Sequence, residues 1–194
     1  MPDLPFVTIV SGLPPSGTSM LMQMLAAGGL PVMTDELRRP DEDNSAGYYE
    51  LEAVKRTKQD PGWLDAAVGR AVKVIYLLLR DLPATRQYRV LFMRRSLSEV
   101  VTSQQVMLDR RGEKGAGLLA DELSAIFQRQ LNEIEDWLAE QPNFDVLYVD
   151  HRDVIEDPMQ QSKRVAEFLT DELDIVAMAN VVDSTRYRQR SDGS

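Results

Sequence analysis

The sequence predicts an α/β fold, a three-layer sandwich built on a mostly parallel sheet. Three observations predict it: apolar runs suited to buried strands alternate with amphipathic helix patterns, the first strand enters a turn rich in glycine, proline and serine, and a helix pattern resumes directly after that turn. The 194 residues, 43% of them hydrophobic, suffice for one sizeable core, so we expect a single domain over residues 1–194.

The predicted elements follow one another along the chain in that alternating order. Residues 6–10 are five β-formers and predict the first strand. The helix after the turn should begin at about Ser16 or Gly17 and end at the Gly28-Gly29 pair, because helix C-termini favour a residue with positive φ. Further strands are predicted at residues 71–79, 88–93 and 144–149, and further helices at about residues 47–59, from Ser96, at 118–140, after Asp157-Pro158 and at 173–182.

Capping patterns mark two of these helix starts. Ser96-Leu-Ser-Glu99 has the form of a capping box with Ser96 as the N-cap, and Asp157-Pro158 places an N-cap residue before a first-turn proline. The long helix over about 118–140 is amphipathic, and the residues predicted on its buried side are Leu119, Leu123, Ile126, Phe127, Ile134, Trp137 and Leu138.

Composition excludes several classes of function. The formal net charge of −9 argues against nucleic-acid binding, which depends on clustered lysine and arginine. The absence of cysteine excludes disulfides, cysteine-ligated zinc and thiol catalysis, and a single histidine excludes a histidine-rich metal site. The N-terminal residues lack a basic region, and the first apolar run is too short to span a membrane, so we expect a cytoplasmic protein.

The strand, turn and helix over residues 6–25 form a P-loop-like unit that predicts an anion site. Such a turn directs several backbone N–H groups into one concavity at the positive end of a helix, which favours a multiply charged anion. Gly12 and Gly17 have the spacing of the ATP- and GTP-binding loop, but the lysine position of that loop is Thr18. An ATP-dependent kinase or NTPase stays an alternative, because residues 146–150 are an apolar strand ending in Asp150, the form of a magnesium ligand.

Two motifs in order resemble another family. Leu13-Pro-Pro-Ser-Gly-Thr-Ser19 resembles the 5'-phosphosulfate loop, Pro-(Arg/Lys)-Ser-Gly-Thr-(Thr/Ser), of sulfotransferases that use 3'-phosphoadenosine 5'-phosphosulfate (PAPS). Arg95 followed eight residues later by Ser103 resembles the 3'-phosphate motif of the same family. Ser96 and Ser103 share a helix face over which Arg95 can lean, so donors and the helix dipole can converge on one phosphate. Residues 44–50, 72–83 and 181–188 resemble segments of bacterial members, so the resemblance covers nearly the whole chain.

The resemblance implies a P-loop-like fold that transfers the sulfuryl group of PAPS in line to a hydroxyl or amine of a small-molecule or glycan acceptor, without a metal. Glu50 is the candidate general base, with His151 as the alternative on what should be a solvated loop. The acceptor pocket would be lined by residues 34–47 and 110–117, and nothing in the sequence sets the oligomeric state. The residues implied to bind PAPS are Pro15, Ser16, Gly17, Thr18 and Ser19 at the 5' end, and Arg95, Ser103 and Arg188 at the 3' end.

The sequence departs from the family motif at Pro15. The family has Arg or Lys there, which helps to neutralise the phosphosulfate, whereas proline has neither a cation nor an N–H. Lys73, Arg94 or residues 110–114 are the candidates to supply the missing charge. If none does, the alternative is a relative that binds the nucleotide without transferring sulfate.

Overall fold

The computed structural model describes residues 4–35, 47–111 and 119–182. The strands in these ranges are β1 Val7–Gly12, β2 Val32–Met33, β3 Ala71–Lys73, β4 Tyr88–Arg94 and β5 Phe144–Asp150. The α-helices there are α1 Thr18–Ala27, α2 Trp63–Ala67, α3 Leu97–Arg111, α4 Ala120–Ala139, α5 His151–Glu156, α6 Pro158–Leu169 and α7 Ile175–Asn180, and two 3₁₀-helices span Glu52–Arg56 and Tyr76–Asp81.

The five strands form one all-parallel sheet in the order β2-β3-β1-β4-β5. All six residues of β1, the central strand, are buried, as expected for a parallel strand that is covered on both faces. From β1 the chain first builds one side of the sheet and then crosses to the other, so the carboxyl end of β1 lies at a topological switch point. Ligands bind at such points in open α/β sheets.

Helices cover both faces of the sheet, which confirms the predicted α/β sandwich of three layers. On one face, Val10 and Leu91 pack in a cluster with residues of α1, α6 and α7, such as Leu25, Val165 and Met178. On the other face, the cluster around Ile9, Val90 and Phe92 includes residues of α2, α3 and α4 and both 3₁₀-helices. Two of the predicted helix ends also hold: Gly29 has φ 92°, and Asp157 accepts a hydrogen bond from the Gln160 N–H at 3.0 Å. At the start of α3 the Ser96 hydroxyl pairs with that of Ser98 at 2.7 Å, and the capping box predicted with Glu99 remains a prediction.

The prediction of a strand over residues 71–79 is wrong beyond Lys73. The Val74 N–H still donates to the Val10 carbonyl, but the chain then turns into the 3₁₀-helix Tyr76–Asp81, in which Tyr76 and Leu79 are buried. An apolar run of this length does not distinguish a strand from a buried helical segment. The helix predicted at about residues 47–59 is only the 3₁₀-helix Glu52–Arg56, and α2 was not predicted.

The long helix α4 has its predicted apolar side except at its start. Ile134 and Leu138 are buried, whereas Leu119 is 72% exposed. Leu119 precedes the first helical residue, and its N–H donates to the Glu122 carboxylate at 3.0 Å, so it caps the helix instead of packing on the sheet. No helix in the described ranges is long and apolar enough to cross a bilayer.

Candidate functional site

The turn between β1 and α1 has the geometry of an anion cradle. Gly17, the residue before α1, is left-handed with φ 103°, and its position carries no side-chain cap, so the first N–H groups of α1 keep their capacity to bind an anion. No acidic residue lies in the first turn of α1. The Ser16 hydroxyl is buried with no hydrogen-bond partner among the described residues. A bound anion would give that hydroxyl a partner.

Close packing explains why both turn glycines are needed. A Cβ atom on Gly12 would lie 2.6 Å from the Met93 carbonyl oxygen, and one on Gly17 would lie 2.5 Å from Cδ2 of His151. Both distances are far below van der Waals contact, so any side chain at either position would displace the strand or the ring. The loop is therefore held tightly against β4 and α5.

Lys73 brings a cation to the same turn. It is the last residue of β3 and pairs with Val10 of β1, so its side chain starts at the carboxyl edge beside the turn. Its Nζ donates to the Ser19 hydroxyl at 3.1 Å and to the Tyr48 carbonyl oxygen at 2.9 Å. Of the candidates to replace the charge missing at Pro15, Lys73 thus contacts the first turn of α1.

Arg95 lies against the glycine turn from the opposite side. Its guanidinium donates to the Pro15 carbonyl oxygen at 3.4 Å and to the Glu99 carboxylate at 2.9 Å. The Arg95 and Glu99 side chains are only 11% and 6% exposed. Since Glu99 lies in the first turn of α3, this pair fixes the guanidinium beside the loop. The structure therefore brings two of the predicted elements, the turn and Arg95, together.

Ser103 lies two turns further along α3 than Ser96. Helical spacing places it on the stripe of Glu99 and Met107. Met107 borders a cavity of about 390 Å³ that lies beside the glycine turn. Ser103 is half-buried and is not among the described residues that border this cavity. A contact between Ser103 and a ligand remains a prediction.

A cavity of about 390 Å³ lies over the carboxyl edge of the sheet. Pro15, Ser16, Gly17, Thr18 and Ser19 all border it, and so do Glu50, Lys73, Arg95 and His151. The cavity is also bordered by apolar side chains, among them those of Leu51, Val54, Ile75, Leu78, Met107, Ile155 and Val181. Residues predicted from separate motifs therefore surround one space.

Glu50 borders this cavity next to the 3₁₀-helix Glu52–Arg56. Its carbonyl oxygen accepts from the Thr34 hydroxyl at 3.0 Å and from the Asp35 N–H at 3.2 Å, which ties the segment to the residues after β2. Tyr49 before it is left-handed with φ 53°. The backbone of Glu50 is thus well fixed, and its role as a base remains a prediction.

The prediction that His151 lies on a solvated loop is wrong. It is the first residue of α5, is only 8% exposed, and packs against Gly17. Burial is the main cause that lowers the pKa of His151 to about 4, and the positive charge of Arg95 lowers this pKa further. The negative charge of Glu99 acts in the opposite direction. The ring is therefore neutral at pH 7. The sequence did not predict the burial of His151 because the ring is covered by the glycine turn, and Gly17 of that turn lies 134 residues earlier in the chain.

The remaining candidates lie elsewhere or outside the described ranges. Arg94 faces α4, where it makes two hydrogen bonds to the Glu135 carboxylate at 3.1 and 2.7 Å and covers the Tyr148 ring at 3.8 Å. Asp150 ends β5, which β4 separates from β1, and borders a second cavity of about 460 Å³ on the side of α3 and α4, which Ser16, Arg94 and Arg95 border as well. Arg188 and the side chains of 110–114 lie outside the described residues. Within the described ranges, no cluster of three acidic or histidine side chains could hold a metal.

No family model matches the chain, and no curated protein matches it either. Solved structures do match. A sulfotransferase domain from the curacin biosynthetic pathway has a TM-score of 0.50 and 16% identity over 86% of this chain and 74% of that chain. A sulfotransferase domain from the Synechococcus PCC 7002 olefin synthase has a TM-score of 0.52 and 15% identity over 99% and 82%. Retinol dehydratase in complex with androsterone and the inactive cofactor PAP has a TM-score of 0.50 and 18% identity over 95% and 65%. The chain therefore has the sulfotransferase fold.

Proposed function

We propose that this protein is a sulfotransferase that moves the sulfuryl group of PAPS to a hydroxyl or amine of a small-molecule acceptor. The observation that carries the proposal is that Lys73 and Arg95 flank the same glycine turn and border one cavity. A nucleotide with phosphates at both ends of its ribose needs two such groups. The PAP bound to one of the structural neighbours supports this nucleotide class.

At the 5' end, the backbone N–H groups of residues 16–19 hold the phosphosulfate, and Lys73 supplies the cation that Pro15 cannot. Negative charge grows on the oxygen that bridges phosphorus and sulfur as the sulfuryl group leaves. Fixed N–H groups and a nearby ammonium group stabilise that charge without reorganising during the reaction. The contact between Lys73 and Ser19 places the cation at the first turn of α1, where the amides converge.

At the 3' end, Arg95 binds the phosphate on the ribose. Its buried ion pair with Glu99 leaves the planar guanidinium fixed in one orientation, so little side-chain entropy remains to be lost on binding. Ser103 adds a hydroxyl donor from the same helix, and Arg188 covers the phosphate from the C-terminal segment.

On the acceptor side, Glu50 takes the proton of the attacking hydroxyl or amine. Glu50 borders the same cavity as the glycine turn, and so do Leu51 and Val54, which follow it closely in the chain. His151 is the less suitable base because its ring packs against Gly17 of the nucleotide loop. The charge of Arg95 also lowers the pKa of His151, which indicates that the ring lies on the nucleotide side. The androsterone bound to a structural neighbour supports a small-molecule acceptor.

Calorimetry and a transfer assay test the proposal. We expect PAP to bind without magnesium, AMP to bind more weakly because it lacks the 3'-phosphate, and PAPS to yield PAP when acceptors are supplied. PAP binding without transfer to any acceptor of a broad panel would favour the non-catalytic alternative that Pro15 suggests. Magnesium-dependent ATP binding that PAP cannot displace would contradict the proposal and support a kinase or NTPase.

A further inference from the structure

We propose that His151 is a further anion-binding residue beside the glycine turn, which takes up a proton from solvent when the phosphates of the nucleotide bind. The ring is neutral before binding and becomes an imidazolium, so it adds a positive charge to the site. This inference deepens the proposed function and rests on it for the identity of the anion. It gives the one histidine of the chain a role in nucleotide binding and not in proton abstraction.

The His151 ring lies at the part of the turn where the first N–H groups of α1 converge. The position that a Cβ atom on Gly17 would occupy is 2.5 Å from Cδ2 of the ring and 3.3 Å from Nε2, so this edge of the ring is next to the residue before α1. His151 also borders the 390 Å³ cavity together with Gly17, Thr18 and Arg95. An anion held by the first N–H groups of α1 would therefore lie near the imidazole.

The groups around this ring hold it neutral before an anion binds. Burial is the main cause of its lowered pKa of about 4, the Arg95 guanidinium lowers this pKa further, and the Glu99 carboxylate opposes both. The first turn of α1, which packs on the ring, has no acidic residue. The other charged side chains on α5 and at the end of β5 are exposed to solvent: Asp150, Arg152, Asp153 and Glu156.

A bound nucleotide reverses this balance of charge. PAP carries about three to four negative charges near neutral pH, since each phosphate group carries about −1.5 to −2. Lys73 and Arg95 bring two positive charges to the cavity, and that of Arg95 is already paired with Glu99. One negative charge about 5 Å away raises the pKa of an imidazole by about one to two pH units at the effective dielectric constant of a partly buried site. The complex therefore favours the imidazolium.

Proton uptake by His151 links the affinity for the nucleotide to pH. Its contribution to binding grows as the pH falls towards the pKa that the ring has in the complex. The phosphates of PAP become protonated in the same range, with a pKa of about 6, and this opposes binding. The variant His151→Gln separates the two effects, because the phosphates titrate in both proteins whereas glutamine takes up no proton.

Proton NMR of the single imidazole gives the first measurement, recorded against pH for the native chain alone, with PAP and with pyrophosphate. We expect either anion to raise the pKa of the imidazole from about 4 by about one to two pH units. Calorimetry of PAP binding at pH 5.5, in two buffers of different ionisation enthalpy, counts the protons taken up. The native chain should take up about 0.2–0.7 more protons per PAP than His151→Gln.

The two anions separate this inference from the proposed function. If PAP binds but the pKa of the imidazole stays at about 4, or the native chain and His151→Gln take up equal numbers of protons, only the inference is refuted. If pyrophosphate raises the pKa of the imidazole but PAP does not bind, the proposed function fails and proton uptake beside the turn stands. If neither anion binds, both fail.

Discussion

The Nζ atom of Lys73 lies 3.1 Å from the hydroxyl oxygen of Ser19, so a lysine from β3 contacts the first turn of α1. Ser19 ends the motif in which Pro15 replaces a basic residue. Because β3 and β1 are neighbours and Lys73 pairs with Val10, the sheet itself delivers the cation to the turn. A cation from a neighbouring strand thus lies beside the loop whose own sequence lacks one.

Lys73→Met should lower kcat about 100- to 1,000-fold, because the ammonium group stabilises charge that is not yet on the bridging oxygen of bound PAPS and that develops as this oxygen leaves. The dissociation constant of PAP should rise as well, by about 10- to 100-fold, because PAP keeps that charge on its 5'-phosphate. Steady-state rates of PAP formation, with PAP affinity from calorimetry, check both values. Lys163→Met is the control, since Lys163 is exposed on α6, where its Nζ lies 3.8 Å from the carboxylate of Glu167.

The double variant Pro15→Lys with Lys73→Met tests whether the cation can come from either position. Pro15 borders the same cavity, so a lysine there should recover at least tenfold of the lost rate. If Lys73→Met keeps full activity, the ammonium group does not serve the reaction, and the charge has another source.

Arg95→Met should weaken PAP binding about 100-fold and leave AMP binding nearly unchanged, because AMP lacks the phosphate that the guanidinium binds. Ser103→Ala should weaken PAP binding only about three- to tenfold, as expected for one neutral donor. Arg94→Met is the control, since Arg94 is bound to Glu135 and Tyr148 on the other side. Equal losses for PAP and AMP in Arg95→Met would assign Arg95 to holding the loop and not to the 3'-phosphate.

The sequence predicts those parts of the site that are local. The turn from Gly12 to Gly17 follows from glycine spacing, and the place of Arg95 follows from the end of the strand before it. Contacts that depend on strand order could not be predicted. Lys73 meets Ser19 only because β3 lies beside β1, and no short-range pattern encodes that order.

The burial of side chains at the site could not be predicted from the local sequence either. His151 stands among charged residues in the sequence, yet packing against Gly17 leaves it only 8% exposed. The strand predicted beyond Lys73 is wrong for a different reason, because a run of aliphatic residues is compatible with both a strand and a helix. The hydrogen bond from the Tyr76 hydroxyl to Gln130 on α4 is a tertiary contact, which the local sequence does not predict.

Gly17→Ala should destabilise the fold more than Gly29→Ala, although both glycines are left-handed. The φ angles are 103° and 92°, so each alanine costs about 1–2 kcal/mol of backbone strain. A Cβ on Gly29 meets nothing within 4 Å, whereas one on Gly17 lies 2.5 Å from the His151 ring. The clash should add about 1–3 kcal/mol at Gly17 alone.

Urea unfolding of both glycine variants provides the comparison, and PAP affinity provides a second one. Gly17→Ala should also lose PAP binding, because the turn must shift, while Gly29→Ala should bind PAP normally. Equal free energies of unfolding for the two variants would show that the His151 ring moves aside without cost.

His151 should make the protein less stable in acid. Its pKa in the folded state is about 4, below the ordinary value of 6.5, because burial and the charge of Arg95 disfavour the imidazolium. Between these values the unfolded chain binds a proton that the folded chain does not, so stability falls as pH decreases from about 6.5 towards 4. At pH 5 the loss relative to pH 7.5 amounts to about 2 kcal/mol from this group.

The variant His151→Gln isolates that contribution, since carboxylates titrate alike in both proteins and the chain has only one histidine. Urea unfolding at pH 5 and 7.5 should show a loss about 2 kcal/mol smaller in the variant than in the native chain. Proton NMR of the single imidazole gives its pKa directly, without resonance assignment among several histidines. Parallel pH profiles for the two proteins, or an imidazole that titrates near 6.5, would mean that the ring is solvated in solution and that its packing against Gly17 is lost.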